Sequence, residues 1–446
     1  MKIVIAGAGA VGFHLATLLC NENQDITLID KNEDVLNLVS RHLDMLSING
    51  DASNINVLKE AEVKNAKLFI SVTTSEKTNL LAAILAKQLG ATKTFARISD
   101  PHYLDEENRN RIKELGVDVL ISPDTLAALE VKRHLKRASF TDLYDFENGK
   151  ISIVGFTLDS ASPLINYSFE KINELTEAFP FRGIALLRNH QTIIPHKGTV
   201  LKEGDHLYIA SKKKSLEKAL AFMGKQLKPI KNVMIVGGTA LALRTAQEIE
   251  NDYSLTVVIE DEQKAKKFAE ILNNSLIINT YPGDIESLKE EGLEHMDAFI
   301  ALSPNSETNI ITSLMAEELG VYKTIASVEN VNYVPISQNI GVDTIINKKL
   351  ISANNIFRFV RKGKVEAIVT LHGVDAEIIE FELIKNNRIL NHPIKDLHFP
   401  EKSIIAGIIR GEQSFTPNED TFFLQNDKVI ILALPEAIHK VEEIFK

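Results

Sequence analysis

Apolar residues in this chain come in runs of four or five, and each run is followed by a stretch whose apolar positions recur every three or four residues. In the N-terminal part the runs fall at Ile3–Ala6, Ile26–Ile29, Met45–Ile48, Leu68–Val72, Thr94–Ile98 and Val117–Ile121. The spacing between them is helical, as at Leu80, Ala83, Ile84 and Lys87 through Leu89. Buried strands alternating with amphipathic helices predict a Rossmann-like, doubly wound α/β domain, with helices on both faces of a parallel sheet. From about Gly149 the texture changes to alternating strands and turns, including "KEGD" at Lys202–Asp205, with little helix until Leu216–Met223. That change predicts a small, β-rich α+β domain.

The pattern then repeats. "LFISVTTSEKTNLLAAILAKQLGATKTFARI" from Leu68 aligns with "AFIALSPNSETNIITSLMAEELGVYKTIASV" from Ala298. Gly7 falls on Gly237, Asp30 on Glu260, Asn79 on Asn309 and Lys93 on Lys323, all at one offset. "INGDAS" answers "YPGDIE", and the segment Ile184–Ala210 matches Ile405–Ala433 more loosely. The chain is a duplicated two-domain unit, with domains expected at 1–137, 138–226, 227–362 and 363–446.

Composition narrows the function. The net charge of −10 argues against a general nucleic-acid or anionic-membrane binder. One cysteine, Cys20, excludes a disulfide framework and a cysteine-based zinc site, and suits a reducing cytosol. Its apolar helical setting predicts a packing role. The chain opens on a strand, so no signal peptide is expected, and no apolar run approaches the ~20 residues that cross a bilayer. Any membrane role would go through a partner.

"IVIAGAGAVGFHL" carries the candidate chemistry. Gly7, Gly9 and Gly12 follow a strand and open a helix. Gly7 allows the tight turn, Gly9 lets the backbone approach a pyrophosphate, and Gly12 lets helix and strand pack closely. The helix N-terminus offers unpaired N–H groups to phosphate. Asp30 closes the next strand, where a carboxylate accepts from ribose hydroxyls and repels a 2′-phosphate, favouring NAD over NADP. Further candidates sit at other strand ends. Asp51 is either a helix N-cap or an adenosine contact. Thr73 and Thr74 lie where a cofactor would pass, with Asn79 in the next helix as a weaker candidate. Arg97 either pairs with phosphate or forms a surface ion pair.

The second copy, "VMIVGGTALALRT", has Thr239, Ala242 and Ser327 where the first has Gly9, Gly12 and Arg97. A Cβ at Thr239 obstructs the phosphate and Ser327 removes the cation, so this copy is read as scaffold. Glu260 and Asp284 persist, which leaves open a ribose or adenosine without a diphosphate.

No His/Glu, Ser/Lys or Tyr/Lys cluster that could serve a nicotinamide is evident, and metal-ligand spacing is absent. His14, His102, His196 and His206 are scattered. No catalytic residue and no metal ligand is therefore expected, and an NAD-dependent oxidoreductase is the alternative. Two basic stretches, "EVKRHLKR" (Glu130–Arg137) and "FRFVRKGK" (Phe357–Lys364), are either cations suited to a helix C-terminus or a docking surface.

Taken together, "KIVIAGAGAVG", "TLID", "NGDAS", "TTSEKTNLLAA", "ARI" and the "IIP…GD" pattern resemble the TrkA family of Trk-system potassium uptake proteins, built from two tandem RCK units (KTN plus TrkA-C). The resemblance spans the whole chain. It implies a cytoplasmic protein, peripheral on the inner face of the membrane, that forms a homodimeric or homotetrameric gating ring beneath a potassium-translocating subunit of the TrkH/TrkG type. It also implies binding of NAD+ or NADH, and of adenine nucleotides such as ATP and ADP. Carried over, the dinucleotide residues are Gly7, Ala8, Gly9, Ala10 and Val11, with Asp30, Asp51, Thr73, Thr74 and Arg97.

Overall fold

The structure, a computed structural model, describes the chain except for residues 22–23, 42, 44, 137–141, 159, 161, 176–180, 190, 225–228, 332, 362–366, 371–375, 385–386, 398 and 446. The boundaries expected at 137/138, 226/227 and 362/363 all fall outside the described residues. The chain divides into two compact units, Met1–Lys132 with Lys231–Val360, and Arg133–Ile230 with Arg361–Lys446.

The first unit holds both nucleotide-type repeats. Its N-terminal repeat runs β1 (Lys2–Ala6), α1 (Ala10–Asn21), β2 (Asp25–Asp30), α2 (Glu33–Ser40), β3 (Leu46–Asn49), α3 (Ile55–Glu60), β4 (Leu68–Ser71), α4 (Glu76–Leu89), β5 (Lys93–Arg97), α5 (Glu106–Glu114), β6 (Val119–Ile121) and α6 (Pro123–Lys136). The sheet is parallel in the order β3-β2-β1-β4-β5-β6. The connections diverge between β1 and β4, and a crevice opens there at the strands' C-terminal ends.

In the second unit, the first half runs β7 (Asp142–Phe146), β8 (Ile151–Thr157), α7 (Phe169–Leu175), β9 (Phe181–Arg188), β10 (Gln191–Ile193), β11 (His206–Ser211) and α8 (Lys213–Phe222). Its antiparallel sheet has the order β10-β9-β11-β8-β7. Helix α7 is an addition to the sequence reading: Phe169 and Ile172, three residues apart, are both buried, but so short an amphipathic turn leaves little periodic signal.

The second repeat runs β12 (Asn232–Val236), α9 (Ala240–Ile249), β13 (Ser254–Val258), α10 (Glu262–Ile271), β14 (Ser275–Ile278), α11 (Ile285–Glu290), β15 (Ala298–Ala301), α12 (Ser306–Glu318), β16 (Lys323–Ser327), α13 (Tyr333–Asn339), β17 (Thr344–Ile346) and α14 (Lys348–Arg361). The strand order β14-β13-β12-β15-β16-β17 reproduces the first sheet. The last half of the second unit has β18 (Ala367–Thr370), β19 (Glu377–Glu382), β20 (Ser403–Arg410), β21 (Gln413–Phe415), β22 (Lys428–Ala433) and α15 (Pro435–Ile444), with sheet order β18-β19-β22-β20-β21. That order again reproduces its counterpart. The chain is thus α/β, with two doubly wound parallel sheets and two small β-rich α+β modules.

Two features of packing matter for the site. The core formed by Ile3, Ile5 and Leu28 of the first sheet and Leu15 of α1 also buries Ala353, Ile356 and Phe357 of α14, so the second repeat's last helix completes the first repeat's core. In return, Lys132 on α6 pairs with Asp252 at 3.2 Å and donates to the carbonyl of Glu248 in the second repeat. Cys20 packs, partly buried, on the first of these cores. Among the described residues, no helix is long and apolar enough to cross a membrane.

Candidate nucleotide site

The turn between β1 and α1 follows from three glycines with distinct constraints. Gly7 sits at φ +107°, and a Cβ there would meet the backbone nitrogen of Thr73 at 2.8 Å. A Cβ on Gly12 would lie 1.8 Å from the Gly7 carbonyl oxygen, so α1 and the turn touch only because the side chain is absent. Gly9 differs: a Cβ there would meet nothing within 4 Å. The space above it is open, and as a glycine it gives the first turn of α1 no side-chain cap. Uncapped N–H groups at an open helix N-terminus suit an anion.

Asp30 holds this turn in place. Its Oδ2 accepts from the Ala8 N–H at 2.6 Å and its Oδ1 from the Asn32 N–H at 2.9 Å. A carboxylate has lone pairs beyond these two, so ribose hydroxyls can still bond to it. Asn79, buried in α4, ties the ends of β4 and β5 together. Its Oδ1 accepts from the Thr73 N–H (2.9 Å) and hydroxyl (2.7 Å), and its Nδ2 donates to the carbonyls of Thr73 (3.1 Å) and Arg97 (3.0 Å). Asn79 positions Thr73 and Arg97 and does not itself line the cleft they border.

These elements surround a cleft of about 540 Å³, a size common for small-molecule sites. Gly7, Gly9, Ala10, Val11, Asp30, Thr73, Thr74 and Arg97 line it. Ala8, Gly12 and Asp51 do not, although Gly50 and Ala52 on either side of Asp51 do. Asp51 is not a helix N-cap either: Asn54 caps α3. The Asp51 carboxylate closes a turn instead, accepting from the Ser53 hydroxyl (2.7 Å) and N–H (2.8 Å) and pairing with Lys31 at 2.9 Å. Those bonds, the Ser53 hydroxyl first, hold its pKa down at about 2. The surface ion pair considered for Arg97 is absent: among the described residues its guanidinium has no hydrogen bond or ion pair.

Lys31, Asn32, Val35, Thr78, Pro123 and Asp124 also line the cleft, as do three residues of the second repeat, Glu329, Lys348 and Lys349. Asp124 follows β6 at the sheet's C-terminal edge, and the strand-end rule that singled out Arg97 extends to it. Nothing in the linear pattern marks the other three, because only the packing of one repeat on the other brings them there. Lys348 Nζ lies 3.2 Å from Asp124 and 3.4 Å from Glu329, and Lys349 Nζ lies 3.2 Å from Glu329. Burial raises the pKa of Glu329, but the two lysines outweigh it and the net shift is downward.

The equivalent turn in the second repeat is closed. Thr239 is the N-cap of α9, accepting from the Ala242 N–H at 3.1 Å and donating to the Leu302 carbonyl at 2.9 Å. Its side chain fills the region left open above Gly9. Glu260 lies beyond the end of β13 with its side chain exposed, and Asp284 caps α11. Asn309 repeats the clamp, donating to the carbonyls of Ser303 (2.9 Å) and Ser327 (2.8 Å).

None of His14, His102, His196 and His206 lines the cleft. Among the described residues, no group of three or more His, Cys, Asp or Glu could hold a metal ion. In the first basic stretch, Lys132 is paired as above and Arg133 lies 5.3 Å over the ring of Tyr144. These two cations are committed internally; Arg137 and residues 362–364 lie outside the described residues.

Comparison with known proteins matches this architecture. The TrkA-N domain model matches residues 3–123 and 233–348, and the TrkA-C domain model matches 153–224 and 378–446. "Trk system potassium uptake protein TrkA homolog 1" of Methanosarcina mazei is 30% identical over the full length of both chains. A TrkA homolog of Archaeoglobus fulgidus is 31% identical, again over both full lengths. "Trk system potassium uptake protein TrkA" of Haemophilus influenzae is 29% identical over all of this chain and 99% of its own. Among solved structures, "GsuK channel bound to NAD" superposes with a TM-score of 0.61 at 14% identity, covering 100% of this chain and 78% of that one. The GsuK RCK domain gives 0.60 at 14%, covering 100% and 94%. At that identity the likeness is one of fold.

Proposed function

The chain belongs to the TrkA family of Trk-system potassium uptake proteins, and on that premise we propose that it is a cytoplasmic regulatory subunit whose first repeat binds NAD(H) and thereby gates a separate potassium-translocating membrane protein. The observation that carries this reading is the contrast between the two turns. Gly9 leaves its helix end open beside Arg97, which has no partner among the described residues, whereas Thr239 closes the equivalent end. In this reading the diphosphate lies over Gly9–Val11 and the adenosine ribose bonds to Asp30. Arg97 and the Thr73–Thr74 turn face the phosphates. The ligand acts without chemical turnover: it shifts the gate by its differential affinity for two states of the assembly, typically ~1–3 kcal/mol. The NAD-bound GsuK channel, which shares the fold, supports NAD as the ligand, and the ADP-bound form of GsuK supports adenine nucleotides more broadly. The assembly we propose is a homodimer or homotetramer at the inner face of the membrane; a clean monomer in sedimentation at micromolar concentration would rule it out.

Potassium uptake by cells that carry the membrane subunit tests the proposal. Arg97→Ala should weaken NAD binding by ~1.5–3 kcal/mol, the scale of a hydrogen bond to a charged group. Gly9→Val should be more severe. Its side chain has room in the folded protein and occupies the ligand's space, so folding should persist. Both variants should uncouple uptake from nucleotide. Wild-type, nucleotide-responsive uptake with variants that no longer bind NAD would show that this site is not the switch.

A further inference from the structure

The cleft is not built by the first repeat alone. At one end stands Asp30, the last residue of β2; at the other, beyond Arg97, stands Asp124, after β6. With the sheet order β2-β1-β4-β5-β6, four inter-strand spacings of ~4.8 Å separate those ends by ~19 Å. Adenosine diphosphate anchored at Asp30 with its phosphates over Gly9 stops short of Asp124, and only the terminal phosphate of a triphosphate extends toward it. A dinucleotide in the same pose continues, and its second nucleoside meets the residues contributed by the second repeat.

Those residues are held firmly. Asn347 is buried, and its Oδ1 accepts from the N–H groups of Lys349 and Leu350, both at 3.0 Å. Its Nδ2 donates to the Val328 carbonyl at 2.7 Å. The start of α14 is thereby pinned to the end of β16, while Ala353, Ile356 and Phe357 anchor the same helix in the first repeat's core. Lys349 Nζ also donates to the Glu329 carbonyl at 3.0 Å.

The charges in this corner balance. Asp124 and Glu329 carry two negative charges and Lys348 and Lys349 two positive ones; Lys348 contacts both carboxylates at 3.2 and 3.4 Å, and Lys349 contacts Glu329 at 3.2 Å. A terminal phosphate arriving here would have to displace a carboxylate from its lysines and would face the repulsion of the other. A neutral ribose diol has no such conflict, because its hydroxyls can donate to carboxylate lone pairs that the lysines leave free. The side chain of Glu329 is 42% exposed, which keeps one side of it accessible.

We propose that the second repeat completes the ligand site of the first: Glu329, oriented by Lys348 and Lys349, accepts hydrogen bonds from the distal ribose of a bound dinucleotide and makes the site select dinucleotides over adenosine di- and triphosphate. The inference rests on the nucleotide reading above and adds a specificity determinant to it. It also gives the degraded repeat a role, since ligand bound in the first cleft would bear directly on the packing of the second repeat.

Titration calorimetry on the full-length chain with NAD, ADP and ATP tests this. The wild type should bind NAD more tightly than ADP, and ATP no more tightly than ADP. Glu329→Ala should weaken NAD about tenfold, the scale of one lost hydrogen bond to a charged group. It should leave ADP within about twofold and strengthen ATP, because two lysines are released to meet its terminal phosphate. Opposite signs for NAD and ATP distinguish a ligand contact from a packing role, which would weaken all three together. Glu329→Gln keeps the volume and gives the same pattern in weaker form, so it decides the matter if Glu329→Ala fails to fold. An unchanged ratio of NAD to ADP affinity in a folded variant overturns this inference alone. A wild-type chain that binds none of the three overturns the nucleotide reading and this inference with it.

Discussion

The hydroxyl of Thr239 donates to the carbonyl oxygen of Leu302 at 2.9 Å, closing the turn after β12 onto the end of β15. The same hydroxyl accepts from the Ala242 N–H, so one side chain fills the cradle and caps the helix whose N-terminus would otherwise attract phosphate. Its counterpart in the first repeat is Gly9, with neither side chain nor cap.

One tight dinucleotide per chain is the expected stoichiometry. Thr239→Gly should cost roughly 1 kcal/mol of stability, mainly from the lost hydrogen bond. It should not create a second site, because Ser327 stands where the first repeat has the cationic Arg97. Calorimetry that returned two equivalent NAD sites on the wild-type chain would contradict this.

How far this site was legible in sequence depends on what each residue's role requires. Gly7, Gly9, Gly12 and Asp30 are spaced by the local strand–turn–helix geometry, so their pattern survives in linear order. The duplicated sheets were legible for the same reason: runs such as Ile3–Ala6 and Leu68–Val72 are buried on both faces and carry a continuous apolar signal. Of the two readings open for Asp51, the helix cap fails because both it and Asn54 are good caps, and only the backbone decides which one stands at the helix start. Lys348 and Lys349 were invisible, since they reach the cleft through the insertion of α14 into another repeat's core, and Glu329, just past β16, meets the cleft only through the same packing of one repeat on the other.

Asp51 provides a test in acid. Its folded pKa of about 2 lies below the ordinary value of 3.8, so its bonds to Ser53 and Lys31 stabilise the folded chain. That contribution is fully present above pH ~4 and fades as the pH falls through about 2. Because the side chain is 40% exposed, solvent screening keeps the contribution below ~1 kcal/mol. Asp51→Asn should therefore be slightly less stable than wild type at pH 7, with the difference shrinking between pH 4 and pH 2. Denaturant unfolding at a series of pH values checks this, and a difference that does not change with pH would mean the carboxylate's charge is immaterial.

The β-rich modules carry a matched pair of buried ion pairs. Arg188 Nε and Nη2 donate to the two Asp205 oxygens at 2.7 and 2.6 Å, and Arg410 does the same to Asp427 at 2.8 and 2.7 Å. Each arginine also donates to a loop carbonyl, Val200 or Phe422, and each aspartate accepts a further backbone N–H, from Lys202 or Leu424. The pair therefore fastens the loop before the last strand of each sheet to the strand beside it. Asp205 and Asp427 are 1% and 0% exposed, so removing either arginine strands a buried carboxylate. Arg188→Ala and Arg410→Ala should each destabilise the chain by ~3 kcal/mol or more, the usual cost of breaking a buried pair from one side. Arg188→Met with Asp205→Leu should recover much of that loss, since an apolar pair of similar volume leaves no unpaired charge. Thermal denaturation of the single and double variants measures both effects. If Arg188→Ala proved as mild as a surface substitution, water must reach Asp205, and the fork would not be what holds this loop to its sheet.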